Sequence, residues 1–466
     1  MPVFTPAQLA EWTGGHWTAR PVSPLTSFHF DSRQLSAGAV FVAIKASERD
    51  GHAYLAAAGR AGAAAALVAI PDPALTLPQL VVADPLTAWH AIAREHRRAF
   101  RGLVVGISGS AGKTSTKDLL GLLLGGAAGG VLTTEGNCNN HLGVPLTLTR
   151  IEPARHRFAV VEAGVNAPGE MRPLAGMIAP DVALITLIAP AHTAALGGVD
   201  GVAREKALLP AAMRASGVAI FTRETSEYPA FRDVGPRRMI VERVEMVRPA
   251  APPKDRVYFS VTHQGAETAV ALACGPPPPL VFTFRRVSEG MAQNAVLAIC
   301  AALNLGIPCE TIQRRLGDWR STALRGEIRE VDGRLLYLDC YNANPASMAD
   351  ALAGFAGIAP VTEPRLYVLG CMEELGAGAA DYHRELGRQL RLHAGDRVFI
   401  IGTLAGEVAA GWREQGHAAP QVQIMATLEP ATAAVAEWRG SIFVKGSRRY
   451  ALEQVLAGIG EEAAHA

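Results

Sequence analysis

Charge of one sign is what this sequence most lacks: 44 lysines and arginines stand against 43 aspartates and glutamates in 466 residues. So even a balance gives no reason to expect a nucleic-acid or anionic-membrane surface. Cysteine is scarce and scattered. Cys138, Cys274, Cys300, Cys309, Cys340 and Cys371 include no Cys-x-x-Cys pair, which argues against a disulfide framework or a structural zinc site. No apolar run reaches about 18 residues without Gly, Pro or charge. The opening stretch MPVFTPAQLAEWTGG has neither the basic start nor the apolar core of a secretory signal. A soluble chain in a reducing, cytoplasmic setting is expected, without membrane insertion.

What the chain does have is apolar material for several cores, 49% of its residues. At roughly 150 residues per domain, its length points to about three domains.

One stretch organises the rest. An apolar run, 103–105, leads into Gly106-Ile107-Ser108-Gly109-Ser110-Ala111-Gly112-Lys113-Thr114-Ser115-Thr116 and then the apolar helical run 119–124. Strand, small-residue loop and helix in that order make a phosphate-binding loop. Glycines let backbone N–H groups approach phosphate oxygens, and the helix N-terminus adds partial positive charge. Lys113 would reach the outer phosphates, and Thr114 or Ser115 would hold Mg²⁺. The spacing departs from G-x-x-x-x-G-K-[ST], because Ile107 stands where a glycine is required. A plain glycine-rich turn is the alternative, and the Gly-Lys-Thr ending favours phosphate.

Residues 1–100 read as a small α/β module with strands at 40–44 and 66–70 and helices at 53–62 and 86–100. Asp31-Ser32-Arg33 and Asp50-Gly51-His52 within it read, on their own, as turn chemistry. Residues 101–318 hold the phosphate loop and buried strands at 158–161 and 182–188. Such near-continuous apolar runs fit a parallel sheet covered on both faces, and ligands bind beyond the carboxyl ends of such strands. Glu162 and His192 lie at those ends. Between 221 and 290 the pattern degrades into a proline-containing, β-rich peripheral part, followed by a helix over 294–305. From 319 to 466, strands at 335–338, 365–369, 397–401 and 441–444 alternate with helix-length segments, which makes a second open α/β sheet.

Glu162 and His192 are candidate Mg²⁺ ligands. A carboxylate ending a buried strand needs a reason to be there. An imidazole is a minority choice for Mg²⁺, so His192 reads equally as a structural histidine. By composition Lys206 is a surface lysine of an amphipathic helix, and Asn137, Asn139 and Asn140 are turn residues.

These motifs together resemble the Mur ligases, the ATP-dependent amino-acid ligases of peptidoglycan synthesis, over nearly the whole chain. The matching strings include Asp31-Ser32-Arg33, Asp50-Gly51-His52, the loop from Gly109 to Ser115 with its unusual glycine spacing, and Gly136-Asn137-Cys138-Asn139-Asn140-His141. Further matches are Val161-Glu162-Ala163-Gly164, Ala191-His192, the Lys206 helix, Met372-Glu373-Glu374-Leu375-Gly376 and Lys445-Gly446-Ser447-Arg448. Tyr341-Asn342-Ala343-Asn344-Pro345 is the most specific, since it separates one branch of the family from its sisters.

The resemblance implies an ATPase domain with a parallel sheet, flanked by a UDP-substrate domain and a C-terminal Rossmann-like domain. It implies that ATP and Mg²⁺ activate the carboxylate of a UDP-N-acetylmuramoyl-tripeptide as an acyl phosphate, which the amine of D-alanyl-D-alanine attacks. ATP would be held by Gly109, Ser110, Ala111, Gly112, Lys113, Thr114, Ser115, Asn294, Arg325 and Asp339. The metal would be held by Thr114, Glu162, His192 and a carbamylated Lys206. Substrate contacts would come from Ser32, Arg33, Asp50, His52, Asn137, Asn139, Asn140, Tyr341, Asn342, Asn344, Lys445 and Ser447. Catalysis would rest on Lys113, Glu162, His192 and Lys206, in a monomer whose third domain swings about a linker near 318–325. A sister ligase with another amino acid or dipeptide, or a non-catalytic ATP-binding cell-wall protein, are the alternatives.

Four departures stand against the family pattern. Gly290 replaces a common histidine, and Leu338 stands in place of the first of two frequent aspartates, with Asp339 before Cys340. Cys371 replaces an aspartate, and Thr222-Arg223-Glu224 replaces Asn-Ala-Asp.

Overall fold

Three sheets follow one another along the chain in this computed structural model, which describes residues 1–248, 252–416, 421–457 and 459. The final residues of the expected third domain, 460–466, therefore lie outside the described residues.

The first sheet has the strand order His16–Trp17, Gln79–Val81, Ala65–Val68, Ala39–Val42, Ser27–His29, parallel except at its first pair. Ala39–Val42 and Ala65–Val68 are buried at every position, as strands covered on both faces must be. The helix Pro85–Ala99 starts where Asp84 accepts the Thr87 N–H at 2.7 Å and Pro85 opens the first turn. Arg97 near its end is buried. It donates to the Ile178 and Ala179 carbonyls and pairs with Asp181 at 2.7 Å, tying the first unit to the second.

The central sheet has nine strands, in the order Leu280–Arg285, Glu267–Ala273, Arg256–Gln264, Arg238–Arg243, Val218–Thr222, Val182–Ile185, Leu103–Ser108, Phe158–Glu162, Val131–Thr133. All neighbours are parallel except the two hairpin pairs that end it. The β-rich stretch after 221 thus splits: two strands continue the parallel sheet, and two fold back antiparallel. The expected strand 182–188 stops at Ile185 because the following backbone serves the phosphate loop. The Ser110 N–H donates to the Leu187 carbonyl at 2.9 Å, and the Ala189 N–H donates to Ser110 Oγ at 3.0 Å. The helix expected from 294 begins earlier, as Glu289–Asn304, because Ser288 caps it.

The third sheet runs Glu327–Val331, Arg334–Asp339, Ser441–Lys445, Arg365–Gly370, Arg397–Ile401, Val422–Met425. Its first two strands form a hairpin turning at Asp332 and Gly333, both with positive φ, a geometry suited to the twist of the flanking strands. The remaining pairs are parallel.

Candidate active site

Register brings the first functional groups together. Ile107 lies opposite both Glu162 and Leu184. The carboxylate therefore sits one residue behind the point where Ser108 hands over to the loop. Gly109 has φ +149, and a Cβ there would fall 1.9 Å from Thr186 Oγ1. Gly112, at φ +75, precedes the helix Lys113–Leu124, and a Cβ there would fall 2.2 Å from Asn294 Nδ2. Both positions need glycine for space as well as for dihedral. Lys113 Nζ donates to the Gly109 carbonyl at 3.0 Å, folding its side chain back over the loop.

Glu162 is buried, and each oxygen has a partner. Oε2 accepts from Thr114 Oγ1 at 2.9 Å and Oε1 from Asn139 Nδ2 at 2.7 Å, while its N–H donates to Thr134 Oγ1 at 3.0 Å. Lys206, on the helix Val199–Ala211, is 2% exposed, and its amine makes no hydrogen bond or ion pair among the described residues. Burial, then the charge of Lys113, hold its pKa well below the ordinary lysine value, against smaller pulls from Glu205 and Glu162. Desolvation disfavours the charged form of such an amine. Burial likewise lowers the pKa of Lys113, Glu162 opposing the shift.

His192 has φ +54, and its Nδ1 pairs with Glu374 of the third unit, itself at φ +61. Beside this pair Thr193 Oγ1 donates to the Leu375 carbonyl at 2.9 Å. Burial lowers the His192 pKa and the Glu374 carboxylate raises it.

From the third sheet, Lys445 is fully buried and reaches Asp339 at 2.5 Å and the Asn342 carbonyl at 3.3 Å. Burial raises the Asp339 pKa, and Lys445 opposes it. Arg325, between the positive-φ residues Leu324 and Gly326, lies with its guanidinium 3.9 Å from the Tyr341 ring centre. Asn344 caps the helix Pro345–Ile358 and crosses to the phosphate loop, donating from Nδ2 to the Ser110 carbonyl at 3.2 Å.

These groups surround one cavity of about 520 Å³. Its walls include Ser110, Ala111, Gly112, Lys113, Thr114, Ser115, Asn137, Asn139, Asn140, Glu162, His192, Asn294, Arg325, Asp339, Tyr341, Asn342, Asn344 and Lys445. A second cavity of about 360 Å³ shares His192, Asn342 and Asn344 and adds Ser447, Glu373, Glu374 and Arg449. Gly109 and Lys206 are not among the residues that line either cavity.

Ser32, Arg33, Asp50 and His52 are not brought to either cavity. Asp31 caps the turn at Ser32–Gln34 and pairs with Arg33, whose side chain is 87% exposed. The Arg33 guanidinium holds the Asp31 carboxyl down at about 2. Both nitrogens of His52 are engaged: Nδ1 with Asp50 at 2.6 Å, and Nε2 accepting the Ala69 N–H at 2.9 Å. The residues alone missed Ser288, Asp350 and Thr134. Asp350 sits mid-helix, where nothing local distinguishes it from a solvated carboxylate.

The donor set fits a nucleotide with a divalent cation. Asn294 Oδ1 is buried without a partner among the described residues at the cavity wall, an acceptor free for an exocyclic amine. The Thr114 hydroxyl and Glu162 carboxylate offer hard oxygen ligands beside the loop. Among the described residues no three His, Cys, Asp or Glu side chains cluster closely enough to hold a metal unaided.

Residues 107–302 match the family described as Mur ligase middle domain, and 324–448 match Mur ligase, glutamate ligase domain. The UDP-N-acetylmuramoyl-tripeptide–D-alanyl-D-alanine ligase of Escherichia coli (strain K12) is 30% identical over 461 residues, covering 98% of each chain. The enzyme of that name from Bacillus subtilis (strain 168) is 29% identical over 389 residues, 82% of this chain and 81% of the other. A crystal structure of MurF from Acinetobacter baumannii has a TM-score of 0.85 at 28% identity, covering 98% of this chain and 99% of that one.

Proposed function

This chain belongs to the Mur ligase family, and on that premise we propose that it is an ATP-dependent ligase joining D-alanyl-D-alanine to UDP-N-acetylmuramoyl-tripeptide. One observation carries the reading. The phosphate loop, the Thr114–Glu162 pair and the Tyr341-Asn342-Ala343-Asn344 stretch meet around a single cavity of about 520 Å³.

The ATP phosphates lie on the loop from Gly109 to Ser115, with Lys113 at the outer ones and Asn294, Arg325 and Asp339 toward the nucleoside. A tripeptide carboxylate oxygen forms a bond to the γ-phosphorus as the bond to ADP breaks, leaving an acyl phosphate. The dipeptide amine then forms the C–N bond, phosphate departs with the C–O bond, and the amine loses a proton. Phosphoryl transfer asks the protein chiefly for positioning and charge neutralisation. Lys113 supplies both.

Thr114, Glu162, His192 and a carbamylated Lys206 are the residues that would hold Mg²⁺, which neutralises phosphate charge when bound. The Lys206 amine in its neutral form would add to CO₂, forming the N–C bond and releasing a proton, which leaves an anionic carbamate there. Asn137, Asn139, Asn140, Tyr341, Asn342, Asn344, Lys445 and Ser447 line the path of the tripeptide and dipeptide. Ser32, Arg33, Asp50 and His52 belong to the surface for the UDP end, with the exposed Arg33 as its phosphate contact. We divide the chain at 1–100, 101–318 and 319–466 and take it to act as a monomer. All six cysteines are unpaired, in keeping with a cytoplasmic setting.

The test is phosphate release with ATP, Mg²⁺ and the UDP-muramoyl tripeptide, with and without D-alanyl-D-alanine. Release that needs both substrates and falls at least ~100-fold in Lys113→Ala supports the ligase. Dipeptide-independent behaviour across several tripeptides, or preference for another amino acid, would overturn it.

A further inference from the structure

The helix Glu289–Asn304 carries Asn294 to the cavity, and its first turn is completed by another unit of the chain. Ser288 caps it, accepting the Met291 N–H at 3.3 Å, while the Ser288 hydroxyl donates to Asp350 Oδ2 at 2.6 Å. The Gly290 N–H, one of the donors every helix start leaves without an internal partner, goes to Asp350 Oδ1 at 2.7 Å. Asp350 belongs to the helix Pro345–Ile358 of the third sheet's layer. A carboxylate at a helix N-terminus also meets the favourable end of its dipole.

Space at this contact is tight. A Cβ on Gly290 would lie 2.7 Å from Asp350 Oδ2, and one on Gly354, a turn beyond Asp350, 2.8 Å from Ser288 Cβ. Gly290 has no positive φ. Its lack of a side chain serves the close approach of the carboxylate and nothing else visible in the backbone. The same helix begins at Asn344, which donates to the Ser110 carbonyl of the phosphate loop. With a rise of ~1.5 Å per residue, the two anchors stand roughly 9 Å apart along one rigid element. One grips the phosphate loop and the other the helix that bears Asn294. Ser288, Gly290, Asn294, Asn344 and Asp350 all line the nucleotide cavity.

We propose that Asp350 is a positioning residue: by capping the Glu289–Asn304 helix from the third domain, it sets the register in which that domain closes over the nucleotide, and so couples closure to ATP. The inference rests on the nucleotide part of the reading above and is independent of which amine is joined. Gly290 is its steric partner.

Small-angle scattering of the full chain across an ATP titration, with ATP binding followed in parallel by equilibrium dialysis, tests it. The wild type is expected compact with ATP. Asp350→Ala should need about tenfold more ATP to bind and to reach that radius, since a hydrogen bond to a charged group is lost. Asp350→Asn, which keeps an acceptor for the Gly290 N–H, should recover most of the affinity. Gly290→Ala should reproduce Asp350→Ala although alanine is the better helix former, and the double variant should be no worse than either single one. Identical titrations in all five proteins, a Gly290→Ala that behaves as wild type, or additive effects would each overturn the proposal. In turnover assays the expected signature is a raised KM for ATP with little change in kcat. Loss of dipeptide-dependent phosphate release in the wild type would defeat the ligase reading and leave the titration result standing.

Discussion

At the scale of single residues, Lys206 and Lys113 illustrate how burial selects chemistry. Lys206 combines almost complete burial with an amine that makes no hydrogen bond among the described residues. An unpaired ammonium in such a place costs several kcal/mol, and that desolvation is the main cause holding the Lys206 pKa well below the ordinary lysine value. Lys206→Met should therefore raise the unfolding temperature while turnover falls at least ~100-fold. A fall in both would point to a structural lysine. The proposed carbamate has its own test: a carbonyl resonance from ¹³C-bicarbonate is expected in the wild type and not in Lys206→Arg, and its absence from the wild type would refute carbamylation. Lys113 differs because Gly109 already holds its amine at 3.0 Å, so it waits over the loop with a partner that phosphate oxygens can replace.

At the scale of elements, the phosphate loop works because its neighbours leave room for it. Gly109 occupies a dihedral region that only glycine adopts freely, against Thr186. Gly109→Ala forces the loop outward. We expect ATP affinity to fall more than ~10-fold, in line with a displacement of about 1 Å at a positioned site. Unchanged binding by dialysis would show that the loop tolerates the shift. Asn344 does two jobs at one helix end, capping Ser347 at 2.9 Å and reaching the loop at 3.2 Å. Asn344→Asp keeps the cap and replaces the donor by a carboxylate facing the Ser110 carbonyl. Its unfolding midpoint should stay within ~0.5 kcal/mol of wild type, while the KM for ATP rises several-fold. Equal KM values would remove Asn344 from the site.

At the scale of the whole molecule, buried histidines give the fold a pH dependence with a definite sign. Burial lowers the pKa of His90, His96 and His383 from 6.5. At His383 burial outweighs the opposing Ala379 carbonyl 2.6 Å from Nδ1, while Nε2 accepts the Met372 N–H at 2.9 Å. The unfolded chain takes up protons at these positions as the pH drops below about 6.5, and the folded chain does not. Stability is therefore complete above that pH and lost as it falls toward the lowered values, by at most ~1.4 kcal/mol per histidine per pH unit. The half-buried Asp339 and Asp350, whose pKa values desolvation raises, act oppositely, losing their contribution as pH rises. Comparing wild type with His383→Gln isolates one histidine. The urea midpoint of the variant should drop less between pH 7.5 and 5.5, and an equal drop would refute the assignment.

Much of this was legible from residues alone wherever the cause is local. The loop from Gly109 to Thr114, the strand ending at Glu162 and four of the third sheet's six strands announce themselves, because glycine freedom, apolar runs and strand length act over a few neighbours. Short strands such as Gln79–Val81 and Val422–Met425 did not, since three or four residues carry too little pattern to separate strand from loop. Likewise Val182–Ile185 looks longer in sequence than it is, because its last apolar residues serve the phosphate loop. Resemblance to a family supplied the expected roles of Lys206, which composition left as surface, and of Asn137, Asn139 and Asn140, which it left as turn. The sequence by itself determined three α/β units, a glycine-rich strand–loop–helix and the carboxylate that ends the neighbouring strand. Only the tertiary structure decided that Lys206 is buried, that His192 meets Glu374, that His52 is fully engaged in its own unit, and that Asp350 completes a helix it is not part of. Those outcomes depend on contacts between residues far apart in the chain, where desolvation and close approach, invisible to local pattern, set the energy.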